Sequence, residues 1–258
     1  MKSRGMKMLD PIKFQLILNN QVADIQFQET SVQCGYMDIV WAIEDVLEKL
    51  GRCTDVRLVH MSSYCENFVP DGVHNELVNI SKIGSVSRLL SSVDLPIVVS
   101  VKKNAVGMGL EMVLCADVKI CSQDSRFSMN QVGNGLIPFE GGTQRLSRSV
   151  GLGRALELIM TGRMFYAQEA LEIGLVQYVS EKNVSIDTFT VSLLETICNA
   201  GPIATKYLKE AVRNGHDMTL KDGLTLETDL NVILQSTSDR AEGIASFMER
   251  RSPEFTNE

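Results

Sequence analysis

The sequence has no long apolar run and no strongly basic segment. No stretch approaches the roughly 18 apolar residues that a membrane helix needs, so we expect no membrane partner. The 258 residues carry a net charge of −7 without a basic cluster, so nucleic acid is not an expected partner either. The first residues are basic but lack an apolar core, which argues against a signal peptide.

Several motifs that announce common chemistries are missing as well. There is no Gly-x-Ser-x-Gly motif of serine hydrolases and no cluster with metal-ligand spacing, so no metal is expected. The six cysteines form no Cys-x-x-Cys pair, and several lie in apolar segments. We expect them to be free, buried thiols in a cytoplasmic protein.

The most informative segment runs from Pro96 to Gly174. A β-branched strand pattern at its start leads to the turn Gly107-Met108-Gly109, and an apolar run with one acid, Glu111, follows. A strand that ends in a glycine turn and opens a helix directs free backbone N–H groups at one point, where they can hold an oxyanion. An acid in the first helical turn lies beside that point, so this pattern predicts a site that stabilises an enolate and moves a proton.

Each part of that pattern also has an ordinary explanation. The glycine turn does not belong to a dinucleotide-binding or phosphate-binding loop, and a Gly-x-Gly before a helix often serves packing alone. Glu111 by itself is compatible with a solvated acid favoured by the helix dipole. Its apolar neighbours Leu110 and Met112 favour burial instead, and a buried acid requires a reason.

Apolar spacing predicts a mixed α/β core followed by helices. The predicted strands are Lys13–Leu18, Gln21–Phe27, Asp55–Met61, Pro96–Val101 and Asp117–Cys121. The predicted helices are Tyr36–Leu50, Val73–Leu90, one near Gly109, Lys206–Arg213, Gly223–Leu234 and Arg240–Arg250. A loop is predicted over Ser62–Gly72, and the recurrence of strand and helix suggests stacked, repeated turns.

The motifs AVGMGLE, CADVKI, RFSMNQ, GLIP, GGTQRL and IMTGR follow one another in this order, and EGIASFMERRSPEF lies near the end. This order resembles the crotonase (enoyl-CoA hydratase/isomerase) superfamily over about residues 55 to 255. The resemblance implies a spiral of ββα turns, placed at residues 1–190, and a C-terminal helical trimerisation region at residues 191–258. It also implies a homotrimer or a hexamer.

The resemblance further implies where the chemistry is carried out. The backbone N–H groups of Gly72 and Met108 would form an oxyanion hole for a thioester carbonyl, with Glu111 as general acid or base. The substrate would be an acyl-CoA or an acyl thioester on a carrier protein. No cofactor is implied beyond the coenzyme A that forms part of the substrate.

Three departures from the family pattern limit what the resemblance implies about the mechanism and about CoA binding. Gln131 stands where hydratases have their second catalytic glutamate; it can orient a water but cannot exchange a proton near pH 7. Glu140 stands where many relatives have a small or apolar residue, and it either supplies the missing acid or lies at the surface. The N-terminal loop that shapes the nucleotide pocket of many relatives is missing around Gln28 to Gly35, so CoA binding is expected to be altered.

Three functions therefore stay open. The leading hypothesis is hydration, dehydration or double-bond isomerisation of an enoyl thioester. A second is a specialised decarboxylase, hydrolase or dehydratase acting on a carrier-bound or cyclic acyl chain, and a third is a weakly active binding or assembly homologue. Among the histidines, His60 is expected to be structural, and His74 is an alternative group near the acyl pocket.

Overall fold

The structure, a computed structural model, describes residues 11–29, 34–69 and 85–258. Its larger sheet has six strands in the order β1-β2-β3-β4-β6-β9. These are β1 Ile12–Ile17, β2 Val22–Phe27, β3 Leu58–Ser63, β4 Ile97–Val101, β6 Val118–Cys121 and β9 Tyr178–Val179. The β1 strand pairs antiparallel with β2, and all the other neighbours in this sheet are parallel.

A second sheet has three strands. It contains β5 Asn104–Val106, β7 Arg126–Ser128 and β8 Phe165–Tyr166 in that order. β5 and β7 are parallel, whereas β7 and β8 are antiparallel. The chain alternates between the two sheets as it advances, which produces the repeated turns predicted from the sequence. The short strands β5, β7, β8 and β9 were not predicted, because strands of two or three residues carry too little periodicity.

Six helices of the described residues connect or cover these strands before the C-terminal region. They are α1 Tyr36–Leu50, α2 Val86–Ser91, α3 Met108–Val113, α4 Gly142–Val150, α5 Leu152–Thr161 and α6 Ala167–Glu172. The α1 helix has the predicted bounds. The helix predicted over Val73–Leu90 is described only from Ser85 onward, where α2 occupies Val86–Ser91, and its earlier part lies outside the described residues.

The parallel strands are buried on both faces. One face carries the main core, which includes Ile25, Met61 and Val99, and α1 packs there. The opposite face carries Val22, Leu58, Val98 and Ile120 and is covered by the helix α7, Ile186–Cys198. Burial on both faces explains why the β4 sequence, IVVSV, reads as a nearly continuous apolar run instead of an alternating one.

A polar network lies within the sheet beside this second apolar cluster. His60 Nδ1 lies 2.8 Å from Asp24 Oδ1, and His60 Nε2 lies 2.9 Å from Ser100 Oγ. The three residues belong to adjacent strands and are all buried. His60 therefore belongs to a buried hydrogen-bond network, as expected of a structural residue. The predicted strand Asp55–Met61 ends too early, because β3 continues to Ser63, inside the predicted loop.

Three further helices follow α7: α8 Pro202–His216, α9 Leu220–Leu234 and α10 Ser238–Glu249. Asp117 fixes α8 to the sheet, since its carboxylate accepts from Lys209 Nζ at 3.0 Å and from Arg213 Nη2 at 2.7 Å. The predicted division between residues 190 and 191 falls inside α7. The assignment of residues 191–258 as a separate trimerisation region stays a prediction.

Among the described helices, none combines the length and the apolar character that a membrane crossing requires.

Candidate active site

The two glycines around Met108 have different physical roles. Gly107 has φ +54°, in the region that favours glycine, and its N–H donates to the Ser128 carbonyl at 2.9 Å. A Cβ added to Gly109 would lie 3.3 Å from the Val69 nitrogen and 3.4 Å from the Phe68 Cβ. The first turn of α3 therefore packs closely against residues 68 and 69, the segment that leads toward Gly72.

Met108 is the first residue of α3, and its side chain is buried. The N–H groups of the first helical turn have no carbonyl one turn earlier to bond to, so the Met108 N–H is available to an acceptor outside the helix. This is the position from which the sequence predicted one oxyanion donor. The predicted second donor, Gly72, and the alternative residue His74 lie outside the described residues.

Glu111 lies in the same first turn, three residues after Met108, and is completely buried. Its Oε1 accepts from the backbone N–H groups of Glu140 and Gly142, each at 2.8 Å. Its Oε2 accepts from Gln131 Nε2 at 2.9 Å. All three donors are neutral, so the carboxylate is oriented without a directly bonded positive charge, and the ordinary explanation of a solvated acid is wrong.

Burial raises the pKa of Glu111 from its ordinary value of 4.5 to about 7, although the N–H groups that bond to the carboxylate act in the opposite direction. The charge of Glu140 adds to the rise. A carboxyl group that titrates near neutral pH can both take up and release a proton under physiological conditions. A strongly shifted pKa within a buried cluster of polar groups is a physical indicator of a functional site.

Gln131 lies in a 3₁₀ turn, Gln131–Asn134, and is 2% exposed. Its Nε2 bonds to Glu111, whereas its Oε1 is buried and has no hydrogen-bond partner within the described part of the chain. A buried amide oxygen without a partner is costly, and it can accept a hydrogen bond from a water or from a substrate hydroxyl. The structure thus brings Glu111 and Gln131 together, as the sequence motifs suggested.

Glu140 also lies at this site, and its carboxylate is 1% exposed. The hypothesis that it is a surface residue is wrong. Tyr36 donates a hydrogen bond to Oε1, while the Ser85 hydroxyl and the Ser87 backbone N–H donate to Oε2, each at 2.8 Å. Glu140 is therefore held by groups from α1 and from the start of α2.

Sequence reasoning did not single out Gly142, although the GGTQRL motif contains it. A Cβ at this residue would lie 2.9 Å from both Cγ and Oε1 of Glu111. Only glycine allows the backbone N–H to approach the carboxylate this closely. Tyr36, Ser85 and Ser87 were missed as well, and no local signal in the sequence connects them to Glu111.

Comparison with known proteins identifies the family to which this chain belongs. Residues 75–258 match the family model of enoyl-CoA hydratase/isomerase. The chain belongs to the enoyl-CoA hydratase/isomerase family, that is, to the crotonase superfamily.

Two curated relatives illustrate the sequence similarity. Over 166 residues the chain is 33% identical to 2,3-dehydroadipyl-CoA hydratase of Escherichia coli, with 64% of this chain and 65% of the relative aligned. Over 169 residues it is 36% identical to the short-chain-enoyl-CoA hydratase of Clostridium acetobutylicum, with 66% and 64% aligned. The chain thus spans slightly less than two thirds of the length of these relatives.

The fold is also that of solved enoyl-CoA hydratase structures. The crystal structure of enoyl-CoA hydratase from Bacillus anthracis superposes with a TM-score of 0.85 at 27% identity, covering 96% of this chain and 100% of the other. The predicted crotonase-like α/β fold is thereby confirmed.

Proposed function

We propose that this member of the family is an enzyme of the enoyl-CoA hydratase/isomerase type, acting on an acyl-CoA thioester with Glu111 as the main proton carrier. The observation that carries the proposal is the geometry of Glu111. Its carboxylate is fully buried in the helical turn that begins with Met108, and three neutral donors from other parts of the chain fix it. Its pKa of about 7 suits proton exchange in both directions.

In the proposed mechanism, the thioester carbonyl accepts hydrogen bonds from the N–H groups of Met108 and Gly72. These donors stabilise the negative charge that develops on the carbonyl oxygen as the enolate forms. For isomerisation, Glu111 removes a proton from one carbon and returns it to another, so that the double bond moves. For hydration, Glu111 removes a proton from the water whose oxygen bonds to one carbon of the double bond, and Glu111 returns that proton to the other carbon. These steps require no cofactor beyond the CoA portion of the substrate.

Gln131 favours chemistry that a single carboxyl group can complete. It exchanges no proton itself, but its unpartnered Oε1 can accept a hydrogen bond from a water or from a substrate hydroxyl. Isomerisation needs one proton carrier, whereas the two-glutamate hydration route needs a second. The same observation supports the second hypothesis, a specialised decarboxylase, hydrolase or dehydratase on a carrier-bound or cyclic acyl thioester.

The proposed assembly is a homotrimer or a hexamer. Large apolar side chains of the C-terminal helices are exposed in the single chain, which supports burial against another subunit. Examples are Leu208 at 64%, Leu220 at 80% and Phe247 at 84% exposure. The six free cysteines support a reducing, cytoplasmic location.

A screen of acyl-CoA thioesters, with products identified by mass spectrometry, tests the proposed reaction. Conversion by the wild type and not by Glu111→Gln supports an enzyme in which Glu111 transfers the proton. Water addition raises the product mass by that of one water, whereas an isomerised product keeps the mass of the substrate and is recognised by its different chromatographic retention. Binding of thioesters without any turnover would contradict the proposal and favour a binding or assembly role.

A further inference from the structure

Glu140 is linked to Glu111 through its backbone and to two other helices through its side chain. Its N–H donates to Glu111 Oε1 at 2.8 Å, while its own carboxylate accepts from Tyr36, Ser85 and Ser87. Both oxygens of the Glu140 carboxylate are therefore engaged by protein donors. A charged side chain that is buried in this way fixes the backbone from which it projects.

Tyr36 is suited to be the donor in this arrangement. It begins α1 and is 4% exposed, and its ring meets the Phe139 ring edge-on with the centroids 5.8 Å apart. Burial, followed by the hydrogen bond to Glu140, raises the pKa of Tyr36 well above its usual range. The hydroxyl consequently keeps its proton and donates a hydrogen bond to the carboxylate throughout the working pH range.

The backbone around residue 140 is held from another side by Arg145. Its Nη1 donates to the Glu140 carbonyl at 2.8 Å, and its Nη2 donates to Ser91 Oγ at 2.7 Å. The following residue, Gly141, has φ +91°, which permits the turn into α4. Residue 140 thus has its side chain, its N–H and its carbonyl all fixed by hydrogen bonds.

We propose that Glu140 is a positioning residue: anchored on Tyr36, Ser85 and Ser87, it holds its own backbone N–H against Glu111 and so fixes the proton carrier. The inference rests on the proposed function in one respect, namely that Glu111 transfers the proton. Glu140 itself transfers no proton in this proposal, since both oxygens of its carboxylate already accept hydrogen bonds from the protein.

Glu140 influences Glu111 in two opposite ways. Its N–H favours the ionised form of Glu111, whereas the charge of its carboxylate raises the pKa of Glu111. Among the described residues, the other titratable or charged groups that interact with this pair include Tyr36 on α1, Cys115 after α3 and Arg145 on α4. Removing the charge and loosening the anchor should therefore have distinguishable consequences.

Glu140→Gln removes the charge and keeps the size of the side chain. We expect kcat on the best thioester to fall about 10- to 100-fold, the scale of a small misplacement of a catalytic group, with KM within about threefold. We also expect the titration midpoint of Glu111 to fall. That midpoint is read without substrate, from the infrared carboxyl band that Glu111→Gln abolishes.

Tyr36→Phe weakens the anchor and leaves the charge in place. We expect a smaller fall in kcat and a Glu111 midpoint that does not fall. The double variant should lose less than the product of the two single effects, because both changes act through one path. Tyr166→Phe, at an exposed tyrosine, and Glu181→Gln, at an exposed glutamate, are the matched controls and should change neither quantity.

Three results would overturn the inference. One is an unchanged kcat together with an unchanged Glu111 midpoint in Glu140→Gln. Another is complete loss of turnover in Glu140→Gln with wild-type turnover in Tyr36→Phe, which would make Glu140 itself a proton carrier. The third result applies if Glu140→Gln does not fold. In that case, wild-type kcat in both Tyr36→Phe and Ser85→Ala would overturn the inference.

The substrate-free titration separates this test from that of the proposed function. If no thioester is converted, a lowered Glu111 midpoint in Glu140→Gln together with a retained one in Tyr36→Phe still supports the coupling of residue 140 to Glu111.

Discussion

The side-chain amide of Gln131 donates to Oε2 of Glu111 over 2.9 Å, and both side chains are buried. A carboxylate is thus paired with an amide at the centre of the site. The amide orients its neighbour but exchanges no proton, so in the proposed mechanism the proton transfer depends on Glu111 alone.

Glu111→Gln should lower turnover of the true substrate by about two orders of magnitude or more, the usual scale for losing a general acid–base group. Steady-state kinetics on the thioester identified by the screen measures this loss. Glu181→Gln, at an exposed glutamate, is the control and should retain wild-type turnover. Wild-type turnover in Glu111→Gln would show that another group carries the proton.

The unmodified protein should be a weak hydratase of straight-chain enoyl-CoA, and Gln131→Glu should raise hydration of crotonyl-CoA by about tenfold or more. The new carboxyl would supply the second proton exchange and, this close to Glu111, would titrate jointly with it. Loss of the enoyl absorbance measures hydration, and Gln144→Glu, at an exposed position of α4, is the control. Rapid hydration by the wild type would mean that one glutamate is sufficient.

The pH dependence of stability should reveal the buried carboxyl. The pKa of Glu111 is raised from 4.5 to about 7 on folding, so its contribution is fully present below pH 4.5 and is lost as the pH rises through about 7. Glu111→Gln stays neutral and avoids this loss. From pH 4.5 to pH 8 the variant should gain stability relative to the wild type by about 3 kcal/mol, at about 1.4 kcal/mol per pKa unit.

Urea unfolding at several pH values measures that relative gain. Glu181→Gln should show no comparable change with pH, since Glu181 is exposed. A stability difference between Glu111→Gln and the wild type that is constant across the range would contradict the raised pKa.

Light scattering at micromolar concentration should give the mass of a homotrimer or of a dimer of trimers. The apolar stripe of α9 includes Leu220 and Leu224, which are 80% and 53% exposed in the single chain. Replacing both with Glu should lower the measured mass, because two charges in an interface cost more than the stripe contributes. A single monomeric species in the wild type would rule out the proposed assembly.

Binding of the acyl carrier should depend mainly on the pantetheine portion. The Met108 donor belongs to the backbone and does not depend on a particular side chain, whereas the N-terminal loop that shapes the nucleotide pocket of relatives departs from the family pattern around residues 28–35. Calorimetric titration of an acyl-CoA and of the matching acyl-pantetheine should give similar affinities. A large loss of affinity on removing the adenosine diphosphate portion would contradict this prediction and indicate a CoA pocket that recognises the nucleotide.

The sequence by itself determined those features that local pattern encodes. Apolar spacing predicted the bounds of α1 that the structure has, and the ordered motifs identified the family. The turn at Gly107 and the acid at Glu111 were found because a glycine turn, a helix start and an apolar run are all written in neighbouring residues.

The tertiary structure alone decided how these parts meet. Tyr36 and Glu140 are 104 residues apart in the chain and are joined by one hydrogen bond, which no local periodicity encodes. The burial of Glu140 and the close approach of Gly142 to Glu111 depend on how α1, α2 and the loop before α4 pack together. A buried carboxylate is tolerated only where distant donors converge on it, and that convergence is a property of the folded chain.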